Sequence, residues 1–247
     1  MKDILKQLVY LAAPTIALSF SSLTAAAVLL QEDWEDGDLL GWTTHGTPPG
    51  GLYSGPNSLG QFSFDNNGDE NHTSGAIWNT PILIESGLYI SASSYSAAGN
   101  CDFRPFCINS INFSSSNNLF STQLFGVNHS GGRSRNGTQP DFRFMGSDVV
   151  LAGIENAWVE LAMYTRPDGS VGYYVNNELA AETDAGYLTY NGSYGYFTIE
   201  GRAWRSTNML TDSIFIQNNV SQVPIIPSFF LYACALGGFS FIKRLAP

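Results

Sequence analysis

Apolar residues form two long runs near the ends of the chain and many short ones between them. Residues 8–18 are mostly apolar, and residues 225–242 carry no charge. Between residues 28 and 222 no 3.6-residue periodicity emerges. Short alternating or aromatic-rich runs recur instead, separated by Gly, Asn, Ser and Asp, the pattern of strands and turns. It predicts strands at 28–33, 61–64, 75–78, 88–94, 108–113, 120–127 and 141–145, then at 148–152, 158–164, 171–175, 178–181, 194–200 and 213–217. Arg166-Pro167-Asp168-Gly169 reads as a turn, and Asn176-Asn177 as a two-residue hairpin with positive φ. Thirteen short strands in about 195 residues predict an all-β, two-sheet antiparallel jelly-roll sandwich. No internal repeat points to a propeller or solenoid.

The two ends read differently from the middle. Lys2 and Lys6, an apolar stretch, and Ala25 and Ala27 at an Ala-x-Ala site form a secretory signal over 1–27. At the other end, 18 uncharged residues at about 1.5 Å each reach about 27 Å as a helix, close to a hydrocarbon core. Lys243 and Arg244 would hold that end at the cytoplasmic side. The expected organisation is therefore a signal at 1–27, a sandwich at 28–220 and a tail with a membrane helix at 221–247.

The tail, with Val223-Pro224, Pro227, the apolar run containing Gly237-Gly238 and the basic pair Lys243-Arg244, resembles the PEP-CTERM type of sorting segment. Ile225-Ile226 and the trailing Leu245-Ala246-Pro247 depart from the usual form. The resemblance implies recognition by an exosortase-like membrane protease, transient anchoring in the inner membrane, and release or surface attachment beside extracellular polysaccharide. Trp158 to Tyr164, the Pro167-Asp168-Gly169 turn and Val171 to Leu179 resemble the concanavalin A-like and laminin-G-like jelly rolls. Trp34 to Trp42 and Asp212 to Ile216 also fit that pattern. In such domains the first and last strands pair, and fold alone does not assign function.

Composition narrows the reading. Between 28 and 222 stand seven arginines, no lysine and twenty acids, a net charge of -13. That balance argues against a nucleic-acid partner and favours solubility. Export makes Cys101 and Cys107, with five residues between them, a candidate disulfide. Asp65, Asn67, Asp69 and Glu70 offer the hard oxygens calcium takes, with Asp36, Asp38 and Asp212 as further ligands if the ends of the domain meet. The rival reading of that loop is an Asn-Gly turn with solvated acids.

For carbohydrate, the chemistry sought is an aromatic face beside polar groups. Trp204, flanked by Arg202 and Arg205, together with Tyr95 and Trp78, are the leading candidates; Trp42, Tyr187 and Tyr190 are others, whereas Trp34 and Trp158 read as core. Paired carboxylates on one strand, the mark of a glycosidase, are missing, since Glu160 and Glu200 each stand alone. Gln123, His129, Arg143 and Tyr173 are residue types a polysaccharide lyase uses, without a lyase motif. His45, His72 and His129 read as loop residues. Six Asn-x-Ser/Thr sequences, at Asn71, Asn112, Asn128, Asn136, Asn191 and Asn219, suggest a polar surface. The expectation is an exported, non-catalytic binding or matrix module for extracellular carbohydrate. The alternatives are a glycan hydrolase or lyase on the same fold, and a structural matrix protein without a ligand site.

Overall fold

The computed structural model describes residues 26–46, 49–65, 74–96, 108–118, 122–130, 141–202 and 209–219. All regular structure among them is β. The strands are β1 (Val28–Glu32), β2 (Trp42–His45), β3 (Gly51–Tyr53), β4 (Ser63–Asp65), β5 (Ser74–Trp78), β6 (Ile82–Leu83), β7 (Tyr89–Ser96) and β8 (Ile108–Ser114). They continue with β9 (Gln123–Ser130), β10 (Asp141–Phe144), β11 (Val150–Ala152), β12 (Trp158–Thr165), β13 (Val171–Val175), β14 (Glu178–Glu182), β15 (Tyr194–Arg202) and β16 (Met209–Gln217). Each of the thirteen predicted strands overlaps one of these. The strands not predicted, β2, β3 and β6, are four, three and two residues long, too short to show alternation.

Two antiparallel sheets form a sandwich. Sheet I runs β14-β13-β12-β7-β16-β4-β3, with β1 added on β16; sheet II runs β11-β10-β9-β8-β15-β5-β2, with β6 on β15. The pairing of β1 with β16 joins the first and last strands, as the jelly-roll resemblance implied. Asn176 and Asn177, at φ 50° and 67°, make the tight turn between β13 and β14. Asn tolerates that left-handed backbone better than most residues, and the Asn176 carboxamide oxygen also accepts from the Glu160 N–H on β12.

The core is aromatic. Trp34, Phe64, Phe113, Phe125 and Phe197 are fully buried, and Phe113 stacks on Phe125 at 5.1 Å. Each such side chain contributes about 1.5–3 kcal/mol by leaving water. In β8, Ile111 and Phe113 enter this core, so the two-residue period sends Ser110, Asn112 and Ser114 to the outer face of sheet II.

His45 and His129 correct the loop expectation, because they lie in β2 and β9. His129 points between the sheets and stacks on Phe142 at 4.6 Å. Its Nε2–H must be the donor to the Ile154 carbonyl (2.9 Å), since a carbonyl only accepts. Nδ1 then accepts from the Ser94 hydroxyl at 3.0 Å. Ser94 in turn accepts from Asn109, whose amide also donates to the Leu210 carbonyl. Burial lowers the His129 pKa to about 4, keeping the ring neutral.

Candidate functional site

Strand register defines the outer face of sheet II. One row across it contains Arg143 in β10, Asn128 in β9, Ser110 in β8, Glu200 in β15, Gly75 in β5 and His45 in β2. The next row contains Gly126, Asn112, Thr198, Ile77 and Thr43. A third places Gln123, Ser114 and Tyr196 side by side. The face is thus built largely of amides and hydroxyls, with the Glu200 carboxyl at its centre and Asp141 at its β10 flank.

The flank towards β10 is satisfied. The Ser110 hydroxyl donates to Asn128 Oδ1 at 2.7 Å, and the Ser130 hydroxyl to Asp141 Oδ1 at 2.8 Å. Arg143 donates through Nε and Nη2 to Asp141 Oδ2 at 3.0 and 2.9 Å. The centre is not. Asn112 and Ser114 are fully buried, yet Asn112 Oδ1 and Nδ2 and Ser114 Oγ have no hydrogen-bond partner. Glu200, 8% exposed, has Oε1 unpartnered, and His45 Nε2 is likewise buried and unpaired. Each such group ordinarily costs about 1–3 kcal/mol, and native proteins contain few.

Local sequence explains how closely this buried cluster packs. Gln123 Nε2 donates to Glu200 Oε2 at 3.4 Å. Because β8 lies between β9 and β15, that bond crosses over β8 and its outward side chains. Beside Asn112 the outward position of β9 is Gly126, where a Cβ would fall 2.0 Å from Asn112 Oδ1. Beside Glu200 the outward position of β5 is Gly75, where a Cβ would lie 2.0 Å from the Ile199 carbonyl oxygen. At both positions the space a side chain would take is already filled, so glycine is what lets β9 and β5 lie this close to the amide and the carboxyl. Burial raises the Glu200 pKa to about 7, against the hydrogen bonds from Thr198 and Gln123, which lower it. A carboxyl so placed is half protonated near neutrality and can donate as well as accept.

The predicted site residues scatter. Tyr95 is 6% exposed on the outer face of sheet I, against Trp158 at 5.6 Å, because its strand position alternates with core residues. Trp78 is half-buried and stands edge-on to Trp42 at 5.4 Å. It lines a groove of about 240 Å³ with Leu29, Thr80, Pro81, Glu85 and Asn218. The structure does not bring Trp78 and Tyr95 together. Of the lyase-type residues, Gln123 and Arg143 are on the outer face of sheet II, while His129 and Tyr173 are in the core, Tyr173 donating to the Met145 carbonyl. Trp42 joins Trp34 in the core, and Tyr187 and Tyr190 donate to the carbonyls of Leu124 and Arg166.

Arg202 ends β15, while Trp204 and Arg205 lie outside the described residues, as do Cys101, Cys107, His72, Asn67, Asp69 and Glu70. The same holds for the signal up to Ala25 and for the whole tail, including Val223, Pro224, Pro227, Lys243 and Arg244. Ala27 is described, its carbonyl accepting from the Asn218 N–H at 3.0 Å.

Three of the acids offered to calcium, Asp36, Asp38 and Asp212, already accept hydrogen bonds, as do the neighbouring Glu32 and Glu35. The Asp36 and Asp38 side chains accept from the N–H of Asp38 and Leu40. Glu35 accepts from Gln61 and Phe62, and Glu32 from the Trp34 N–H and the Trp42 indole. Asp212 accepts from Ser63 and from the Ser213 N–H, and burial raises its pKa to about 6. Among the described residues, no three His, Cys, Asp or Glu side chains are placed to hold a metal ion.

Sequence reasoning noted Gln123 and Glu200 separately but missed Ser110, Ser114 and Thr198, and took Asn112 and Asn128 only as sequons. Asn112 is buried, so it is no part of a solvated surface. The usable signal was the alternation Ser110-Ile111-Asn112-Phe113-Ser114, which marks a polar outer face.

No protein-family model matches the sequence, and no curated protein matches it. Solved structures do. The Emp47p carbohydrate recognition domain aligns with a TM-score of 0.59 at 8% identity, covering 80% of this chain and 99% of that one. A lectin from Bauhinia forficata in complex with GalNAc gives 0.56 at 6% identity, over 79% and 100%. Peanut lectin with a 9mer peptide gives 0.54 at 10% identity, over 81% and 100%. At these identities the likeness shows the fold, a concanavalin A-like jelly roll, and the site must be argued from its own residues.

Proposed function

We propose that this chain is an exported, non-catalytic carbohydrate-binding module that reads extracellular glycan across the outer face of sheet II. The observation that carries the reading is the transverse band of amides, hydroxyls and carboxyls, whose centre around Glu200 holds buried groups without partners. Sugars present the donors and acceptors such a band lacks. The structures it resembles are described as a carbohydrate recognition domain and as lectins, which supports the reading without assigning it. A glycan array probed with the full-length chain is the test. Binding to one glycan class, lost on substitution of Asn112 or Glu200, is the expected result; no binding with or without calcium removes the proposal.

Glu200 favours a second reading. A carboxyl titrating near 7 suits a general acid, so a glycan hydrolase is the rival, and it needs a second carboxyl on the opposite side of the bond. Release of reducing ends from polysaccharide, abolished by Glu200→Gln, would establish it. The proposal also includes the Cys101–Cys107 disulfide and exosortase-like processing of an inner-membrane tail, both drawn from the sequence. Cell fractionation with mass measurement of the mature chain checks them.

A further inference from the structure

The unpartnered atoms over β8 have a chemistry that selects among glycans. Asn112 supplies an acceptor and a donor in one plane, Ser114 a hydroxyl that does both, and Glu200 a carboxyl oxygen. Neighbouring hydroxyls of a sugar are donors and acceptors at once, and they complement this set atom for atom. A calcium ion, the group raised by the sequence, requires six to eight hard oxygens, usually with several carboxylates among them. Among the described residues the cluster offers one carboxyl, and its burial opposes charge, so the residues do not fit the ion. An anionic sugar calls for a guanidinium or ammonium. Arg143, on the same face, already donates twice to Asp141.

We infer that the buried cluster of Asn112, Ser114 and Glu200 is a metal-independent subsite for the hydroxyls of a neutral sugar, covered by the Gln123–Glu200 contact, which must part to admit them. That contact is long at 3.4 Å and joins two flexible side chains across an intervening strand, so it yields readily. The inference rests on the carbohydrate reading and names the ligand class of that same face.

The test titrates the full-length chain with neutral gluco-, galacto- and manno-oligosaccharides and with oligogalacturonides, each in calcium and in EDTA. A neutral series should bind equally in both media. Asn112→Leu and Ser114→Ala should each weaken it about tenfold, the loss of one good hydrogen bond pair. Gln123→Ala should speed association. Melting curves accompany each variant, and Ser114→Ala, the smaller change, keeps the test alive if Asn112→Leu misfolds. Binding that requires calcium, or is confined to oligogalacturonides, overturns the inference and leaves the carbohydrate reading standing. Unchanged affinity in both Asn112→Leu and Ser114→Ala does the same. No binding to any probe overturns both.

Discussion

Asn109 and Asn112 are three residues apart on β8 and face opposite ways. Both are fully buried. Asn109 points between the sheets and donates to Ser94 Oγ and the Leu210 carbonyl, both at 2.8 Å, while its own oxygen accepts from Thr211 at 3.3 Å. Through Ser94 the chain of bonds continues to His129 and the Ile154 carbonyl. Asn112 points outward and has no partner for either polar atom. Inside a sandwich a buried amide is tolerable when every lone pair and proton is used. The inner amide therefore ties sheet II to sheet I, whereas the outer one weakens the fold unless something else occupies it. The contrast separates the residues that hold the structure from those available to a ligand.

The strongest way to break this contrast is to remove the inner amide. Asn109→Leu orphans the Leu210 carbonyl and the Thr211 hydroxyl and removes a donor from Ser94, and it should cost about 3 kcal/mol in urea unfolding. A cost below about 1 kcal/mol would place Asn109 in the same class as Asn112.

The next largest effect is on the acid side. The folded His129 pKa of about 4 lies below the ordinary 6.5, so the unfolded chain binds more protons between those values. Stability attributable to the neutral ring is complete above about pH 6.5 and is lost as pH falls towards 4, on the order of 2–3 kcal/mol. His129→Phe, which also stacks on Phe142, should flatten that part of the unfolding profile relative to the unsubstituted chain.

Glu200 runs in the opposite direction. Its folded pKa of about 7 exceeds the ordinary 4.5, so the folded chain holds the proton across that window and stability falls as pH rises through it. Glu200→Gln cannot ionise. It should gain on the order of 2 kcal/mol over the unsubstituted chain at pH 8 and almost nothing at pH 4, measured by thermal unfolding. Equal gains at both pH values would show that the carboxyl is not held neutral by burial.

The smallest change in stability belongs to Asn112→Leu. Replacing an unpaired buried amide by an apolar group of similar volume should leave unfolding free energy unchanged or raise it by about 1 kcal/mol. A loss comparable to that of Asn109→Leu would mean that the amide is satisfied in solution.

Most of the sandwich was legible because alternation is a local property. Ile111 and Phe113 flanked by Asn112 and Ser114 announce a strand with one apolar face. The Asn176-Asn177 turn follows from two residues that tolerate positive φ. The strands β2, β3 and β6 escaped because Trp42–His45, Gly51–Tyr53 and Ile82–Leu83 are ordered by their partners β5, β4 and β15 and not by their own pattern. The site was less legible for a related reason. That Gln123 reaches Glu200 across β8, with Gly126 and Gly75 closely packed beside Asn112 and Glu200, depends on the register of β9, β8, β15 and β5, which brings together residues 75, 112, 123 and 200. His129 misled because its neighbours Asn128 and Ser130 look like a loop, yet they are the outward positions of a strand whose inward ones are Phe125, Val127 and His129 itself.

Isothermal titration of the unsubstituted chain, Asn112→Leu and Asn109→Leu, with the neutral oligosaccharide that binds best, at a temperature where all three are folded, tests the separation most directly. The account predicts that Asn112→Leu loses affinity about tenfold while melting no lower than the unsubstituted chain, and that Asn109→Leu melts lower yet keeps its affinity. Equal affinity in Asn112→Leu and the unsubstituted chain would contradict it.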